Sequence, residues 1–250
     1  MSHVDPDDMR GARFTRVDLA GAEFRDVDLT GARIIDAVLV DVELSGLISG
    51  MKVNDVEVAP LVEAELDRRH PERILLRAET APGLLEGLDA VEALWQPTLE
   101  LAHTLPPDRL GERVGDDWSL VETLRHLIFV ADAWFARAVL GLDHPYHEIG
   151  LVPSFLDGRR AELGLDADAA PSFESVLDVR AEQILRLRDY LNAVQPDQLA
   201  GSRRSNDDRG YPPPSDHTVL QCLHVVLDEE WNHHQYAARD LAILTISPQP

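Results

Sequence analysis

The sequence predicts a mainly α-helical protein, in which a four-helix bundle follows a short repeat segment near the N-terminus. Two observations carry this prediction. Four long stretches after residue 82 place apolar residues at spacings of three and four, whereas much of the first fifty residues follows a period of five. Spacings of three and four put apolar side chains on one face of a helix, and four such faces can enclose one core. A period of five fits neither a helix nor a strand, so the repeat segment needs a different architecture.

Composition and charge restrict the functional classes. The formal net charge is −22, and an excess of this size repels the phosphate backbone of nucleic acids. The single cysteine, Cys222, allows no internal disulfide and suits a reducing compartment. No apolar run approaches the roughly 18 residues of a membrane span, and the N-terminus lacks the features of a signal peptide. We therefore expect a soluble, cytoplasmic protein that binds neither nucleic acid nor membrane. Only Lys52 among the 23 basic residues is a lysine, which is typical of a GC-rich genome such as an actinobacterial one.

The repeat segment begins at Gly11, and each of its seven units has a large apolar centre two positions after a small apolar residue. The centres are Phe14, Leu19, Phe24, Leu29, Ile34, Leu39 and Leu44, and the small partners are Ala12, Val17, Ala22, Val27, Ala32, Ala37 and Val42. Over about residues 10–58 this pattern resembles the pentapeptide-repeat family, which implies a right-handed quadrilateral β-helix with both apolar positions directed inward. At about four units per coil, seven units make fewer than two coils. We therefore expect a structural cap or a docking module, and not a mimic of duplex DNA that binds topoisomerases.

Local signals place the helices and divide the chain. Ser119 and Glu122 match the capping box, in which each side chain accepts a backbone N–H at the start of a helix. Residues 142–171 form a long connection, of the kind that often covers a functional site. The expected helices are a short one over 59–70 and four long ones over 83–105, 119–140, 172–194 and 215–244. The expected organisation is a flexible tail over 1–10, the repeat segment over 11–58, a short helix and linker over 59–82, and the bundle over 83–247.

The last helix carries the candidate chemistry. Glu230 and His234 lie within its apolar stripe and are four residues apart, so their side chains can converge on one point. A buried carboxylate and imidazole need partners, and a metal ion is one candidate. The alternative is a Glu–His hydrogen bond in the bundle core.

Two segments together resemble a known family. WSLVETLRHLIFVADAWF in the second long helix and EEWNHHQYAARDL in the fourth are similar to the DinB-like superfamily, which includes the mycothiol-dependent maleylpyruvate isomerase type. The resemblance covers residues 84–244 and implies a divalent metal ion held by His126, Glu230 and His234. Glu229 and His233 are also four residues apart and give an alternative register. We prefer Glu230 and His234 because they straddle the apolar stripe, whereas the alternative pair falls on a more polar flank.

The resemblance also implies a function. Zn²⁺ is the first expectation for the ion, with Ni²⁺ or Fe²⁺ as alternatives, and mycothiol is the expected thiol. The expected activity is a thiol-dependent S-transferase or isomerase that acts on an electrophilic small molecule, and no catalytic side chain beyond the ligands is identified. Arg203 and Arg204 are candidates for a clamp on a ligand carboxylate, with ordinary surface arginines as the alternative. A catalytically silent metal-binding or stress-response protein and an interaction module docking through the repeats are the other functional hypotheses, and homodimers are compatible with each.

Overall fold

Helices form most of the structure, a computed structural model that describes residues 9–25, 27–204, 209–214 and 216–246. The chain divides into two compact units, with the boundary after Ser45. In the second unit a small hairpin comes first, in which β1 (Lys52–Val53) pairs antiparallel with β2 (Val56–Glu57). The helices α1 (Ala59–Arg69) and α2 (Arg73–Leu76) follow and lead into the bundle.

The repeat segment is built from a turn that recurs every five residues. Backbone hydrogen bonds of 2.9 Å close three of these turns, for example from the Ala12 N–H to the Met9 carbonyl. The residue before the small apolar partner has a positive φ of 54° to 76°, which favours Gly and Asp because their backbones tolerate the left-handed region. These left-handed residues are Gly11, Arg16, Gly21, Gly31, Asp36 and Asp41.

The β-helix predicted for this segment is not formed in its described residues. From Met9 to Ser45 the described residues contain no β-strand, and the large centres lie exposed to solvent, as Phe14 and Phe24 do with 61% of their surface accessible. Side chains in a coiled repeat are buried by neighbouring coils, and seven units supply fewer than two coils. The five-residue period therefore corresponds to a recurring turn. The buried interior of the predicted β-helix is not formed in the described residues.

Four long helices form the bundle as predicted. They are α3 (Ala81–Ala102), α5 (Leu120–Val130), α6 (Phe173–Ala193) and α8 (Val219–Ile246). α3 and α5 each pack against both α6 and α8. Burial of one leucine in such a core contributes about 1.5–3 kcal/mol. Leucines and other apolar residues of all four helices fill the centre, among them Leu84, Leu88, Val91, Leu124, Leu127, Val176, Leu187, Leu223, Leu227 and Leu241.

Side-chain caps fix where the bundle helices begin. The predicted capping box is present at α5, where Ser119 Oγ accepts the Glu122 N–H and the Glu122 carboxylate accepts the Ser119 N–H. Thr218 and Gln221 exchange the same two bonds at the start of α8. These bonds satisfy backbone N–H groups that the first turn of a helix leaves without partners. The caps therefore fix the residue at which each of the two helices with the candidate ligands begins.

Short elements connect the long helices. α5 continues as a wider π-helical segment (Ala131–Arg137), and the long connection after it contains a 3₁₀ helix (Ser154–Arg159). The connection has its own small core with Phe129 and Ala133, to which Tyr146, Val152, Leu156, Leu163 and Leu165 belong. The remaining elements are α4 (Pro107–Leu110), α7 (Pro196–Leu199) and an antiparallel pair of strands, β3 (Ser202–Arg204) and β4 (Asp216–Thr218).

The long connection lies along α5. The Leu151 N–H donates to the Arg125 carbonyl at 3.0 Å, and Arg125 Nε donates to the Ile149 carbonyl at 2.8 Å. These bonds hold the connection beside His126. Within the described residues, every helix is too short or too polar to cross a bilayer.

Candidate metal centre

Three side chains with metal-binding atoms converge where α5 packs against α8. His126 comes from α5, and Glu229 and His233 come from successive turns of α8. One ligand atom from each lies within 4.8 Å of the other two. His233 Nε2 is 3.0 Å and His126 Nε2 is 3.7 Å from Glu229 Oε2. The spacing of four residues on α8 aligns Glu229 with His233, and the packing of the two helices brings His126 to them.

His126 is buried and its ring is held in one orientation. His126 Nδ1 lies 3.0 Å from the Leu151 carbonyl oxygen, which can only accept a hydrogen bond. Nδ1 therefore carries a proton, and Nε2 faces Glu229. Metal-binding histidines have this arrangement, in which one ring nitrogen donates to a backbone carbonyl and the other is the ligand.

Glu229 is a carboxylate at neutral pH. Its side chain is partly buried, and burial alone would raise its pKa. The neighbouring His126 and His233 imidazoles outweigh that effect and lower the pKa of Glu229 to about 2. The cluster thus combines one fixed negative charge with two imidazole nitrogens, a donor set that suits a metal cation.

Aromatic rings enclose the two histidines. The Trp118 ring lies 4.7 Å from the His126 ring and stacks on the His233 ring at 5.9 Å. Phe129 is 6.4 Å from His126 and Tyr236 is 6.2 Å from His233, both between ring centroids. These rings hold the imidazoles in place and reduce the access of water to them.

The charge of the cluster also affects the pKa of Tyr211. Burial raises the pKa of its hydroxyl, and the negative charge of Glu229 raises it further. The Tyr211 backbone is bonded to the Tyr146 hydroxyl, which accepts the Tyr211 N–H at 2.7 Å and donates to its carbonyl at 2.8 Å. The segment before β4 is thereby attached to the long connection on this side of the bundle.

The predicted ligand pair Glu230 and His234 lies on a different face of α8. Glu230 accepts two bonds, of 2.8 and 2.9 Å, from Arg180 Nη2 of α6, and both side chains are buried. His234 Nε2 is 3.0 Å from Thr98 Oγ1 of α3, and burial lowers its pKa. In the described part of the chain, the side chains that converge with His126 are Glu229 and His233, which form the alternative register.

The cause of this difference is that partners on other helices satisfy the polar pair in the apolar stripe. Spacing along α8 cannot reveal those partners. One signal was present in α6, where Arg180 interrupts an apolar stripe four residues after Val176. A buried arginine needs a carboxylate, and Glu230 supplies it.

Two features around His126 were not predicted from the sequence. One is the Leu151 carbonyl, because a backbone atom in a long connection leaves no mark in the sequence pattern. The other is the contact of Trp118 with both histidines. For Arg203 and Arg204 the structure describes the backbone, which lies in β3 opposite His217 and Asp216. Their side chains lie outside the described part of the chain, so the proposed carboxylate clamp stays a prediction.

Two family models match the chain. A model of the DinB superfamily matches residues 90–237, more than half of the 250 residues, and includes every member of the cluster. A model of pentapeptide repeats matches residues 8–46 in eight copies, one more than the seven units read from the sequence. Searches among curated proteins and among solved structures find no significant match.

Proposed function

The chain belongs to the DinB superfamily, and from that premise we propose that His126, Glu229 and His233 hold a divalent metal ion. The observation that carries the proposal is the convergence of three ligand atoms within 4.8 Å of one another on two packed helices. A second support is the orientation of His126, whose Nδ1 proton is engaged by the Leu151 carbonyl.

The donor set fits such an ion. Two imidazole nitrogens and one carboxylate oxygen suit Zn²⁺, and they also accept Ni²⁺ or Fe²⁺. Glu229 is ionised at neutral pH, so its charge offsets part of the charge of a dication. When bound, the ion supplies Lewis acidity at a coordination position that three protein ligands leave open. In this protein Leu151 keeps the proton of His126 on Nδ1, and Trp118 limits access of water to both imidazoles.

Metal content of the purified protein tests the proposal. We expect about one divalent ion per chain after dialysis against metal-free buffer, measured by mass spectrometry of the elements. The variants His126→Ala, Glu229→Gln and His233→Ala should each lose most of the ion. Glu230→Gln and His234→Ala are the matched controls, because they carry the same types of change one residue along the same helix.

The controls separate the two registers. Retention of the ion in both controls, with its loss in the first three variants, supports the proposal. Loss in the controls together with retention in Glu229→Gln and His233→Ala would restore the register preferred from the sequence. Full metal content in all five variants would refute a site on α8. Circular dichroism of each variant checks that the helices are intact.

For the reaction, we propose S-transfer or isomerisation that depends on a low-molecular-weight thiol, with mycothiol as the thiol and an electrophilic small molecule as the substrate. The support is the similarity of the segments around His126 and Glu229 to the DinB-like superfamily, which includes the mycothiol-dependent maleylpyruvate isomerase type. Arg203 and Arg204 are proposed to bind a carboxylate of the thiol or the substrate.

A screen of thiols against electrophiles tests this reaction. We expect turnover by the metal-loaded protein, its loss in His233→Ala, and a raised KM in the double variant Arg203→Ala/Arg204→Ala. A metal-loaded protein that neither turns over nor binds any thiol would instead be the catalytically silent metal-binding protein considered from the sequence. That outcome refutes the reaction and leaves the metal site intact.

A further inference from the structure

A cavity of about 430 Å³ lies between α3 and α6, away from the metal centre. His126, Glu229 and His233 are all absent from its lining. Most of the lining is apolar, including Leu88, Val91, Leu99, Phe135, Leu177 and Val226. The volume falls in the range of about 300–1,000 Å³ that is usual for sites of small organic molecules.

Two residues of the lining each have a buried side-chain atom without a hydrogen-bond partner in the described part of the chain. These atoms are the indole Nε1 of Trp95, on α3, and the side-chain oxygen Oε1 of Gln183, on α6. Trp95 is only 4% exposed. Its ring contacts are an edge contact with His234 at 5.0 Å and the guanidinium of Arg180 at 5.7 Å. Buried polar groups in native proteins are almost always hydrogen-bonded, so the Trp95 N–H needs an acceptor and the Gln183 oxygen needs a donor, and a ligand in the cavity beside them would supply both.

The charges in the lining indicate that such a ligand is neutral. Arg180 and Glu230 both line the cavity, and they neutralise each other through two hydrogen bonds. Because the guanidinium is already paired with a carboxylate, a charged ligand would gain little there and would lose its hydration. An uncharged molecule loses less hydration free energy when it enters the cavity.

We propose that this cavity is a second binding site, which takes a neutral and largely apolar small molecule whose carbonyl or hydroxyl oxygen accepts the Trp95 indole N–H. A hydroxyl group also serves the Gln183 oxygen as a donor. The site is independent of the metal proposed for His126, Glu229 and His233.

Prodan (6-propionyl-2-dimethylaminonaphthalene) is a suitable probe, because it is a neutral aromatic ketone whose emission shifts to the blue in an apolar site. We expect saturable binding to the full-length protein, with one probe per chain and a blue shift. The variant Ala181→Phe fills the cavity from an exposed position of α6, and it should weaken binding at least tenfold. Ala193→Phe is the matched control, since Ala193 is an exposed alanine of the same helix outside the lining. It should bind as the wild type does.

Competition between two naphthalenes tests the hydrogen bond. 2-Acetylnaphthalene and 2-ethylnaphthalene have nearly the same shape, and the first alone carries a carbonyl. The ketone should displace prodan about two- to tenfold better from the wild type, as expected for one neutral hydrogen bond. Trp95→Phe should remove this preference and still bind both compounds.

Any one of four results would overturn the proposal. Unsaturable binding, or equal binding by Ala181→Phe and Ala193→Phe, would mean that the cavity takes no organic ligand. An unchanged preference for the ketone in Trp95→Phe would mean that the indole N–H does not bind the ligand. Loss of prodan binding in His126→Ala, with its helices intact, would place the probe at the metal centre.

Discussion

Breaking the buried ion pair between Arg180 and Glu230 should destabilise the bundle strongly. Both side chains are about 92% buried, and two hydrogen bonds of 2.8 and 2.9 Å join them. In the variant Arg180→Met the Glu230 carboxylate loses its counter-ion and remains inside the core. In Glu230→Leu the guanidinium is left in the same position. An uncompensated buried charge costs much more than the pair itself contributes.

The burial sets the size of the effect. Loss of one partner of a buried pair costs about 3–5 kcal/mol, whereas an exposed pair contributes about 0–1 kcal/mol. Replacing both partners by apolar side chains of similar volume is often neutral or stabilising. We therefore expect a loss of about 3–5 kcal/mol in each single variant and nearly wild-type stability in Arg180→Met/Glu230→Leu. The coupling energy of the double-mutant cycle should then exceed about 3 kcal/mol.

Urea unfolding in the presence of a chelator measures these free energies without any contribution from bound metal. Circular dichroism at 222 nm follows the helices, and the four proteins of the cycle are compared at one pH. Losses below about 1 kcal/mol in both single variants would mean that water reaches the pair. A double variant as unstable as the sum of the single variants would refute the coupling.

The cap of α5, a buried acid and the repeat segment provide further tests. Ser119→Ala should lower the free energy of unfolding by about 1 kcal/mol because the Glu122 N–H loses its acceptor, while Ser119→Thr should retain most of it; equal midpoints in thermal unfolding would refute this. Burial raises the pKa of Asp132 to about 6, so its stabilising effect is complete below about pH 3.8 and is lost as the pH rises through 6. Asp132→Asn should remove that dependence, and urea titrations from pH 4 to 7 that parallel the wild type would contradict it. Deletion of residues 1–45 should leave metal content and the midpoint of the bundle unchanged, and a lower midpoint on calorimetry would refute that expectation.

Features that depend on neighbouring residues in the chain were predictable from the sequence. The capping box at Ser119 and Glu122 is such a feature, and the structure confirms it. The long helices and their apolar faces are others, because a period of 3.6 residues reports burial on one side. The period of five correctly identified the pentapeptide repeats, but not the absence of the β-helix from the described residues.

Features that depend on contacts between distant segments were not predictable. The choice between Glu229 and Glu230 needed the positions of Arg180 and His126, which lie on other helices. Burial of the repeat centres needed neighbouring coils, and the period alone does not supply them. The orienting bond from His126 to Leu151 joins residues that are 25 positions apart through a backbone atom.

Glu229 and Glu230 are neighbours on α8, and this affects which way the candidate metal centre faces. Successive residues of a helix differ by about 100° in direction, so Glu229 with His233 and Glu230 with His234 form two similar faces of one rod. Each face presents one glutamate and one histidine. The sequence of α8 alone therefore allows two rotations of the helix about its own axis. Arg180 and Thr98 select one of these rotations because they contact Glu230 and His234. The direction in which Glu229 and His233 point is therefore decided on another face of the helix, by the contacts of Arg180 and Thr98 with Glu230 and His234.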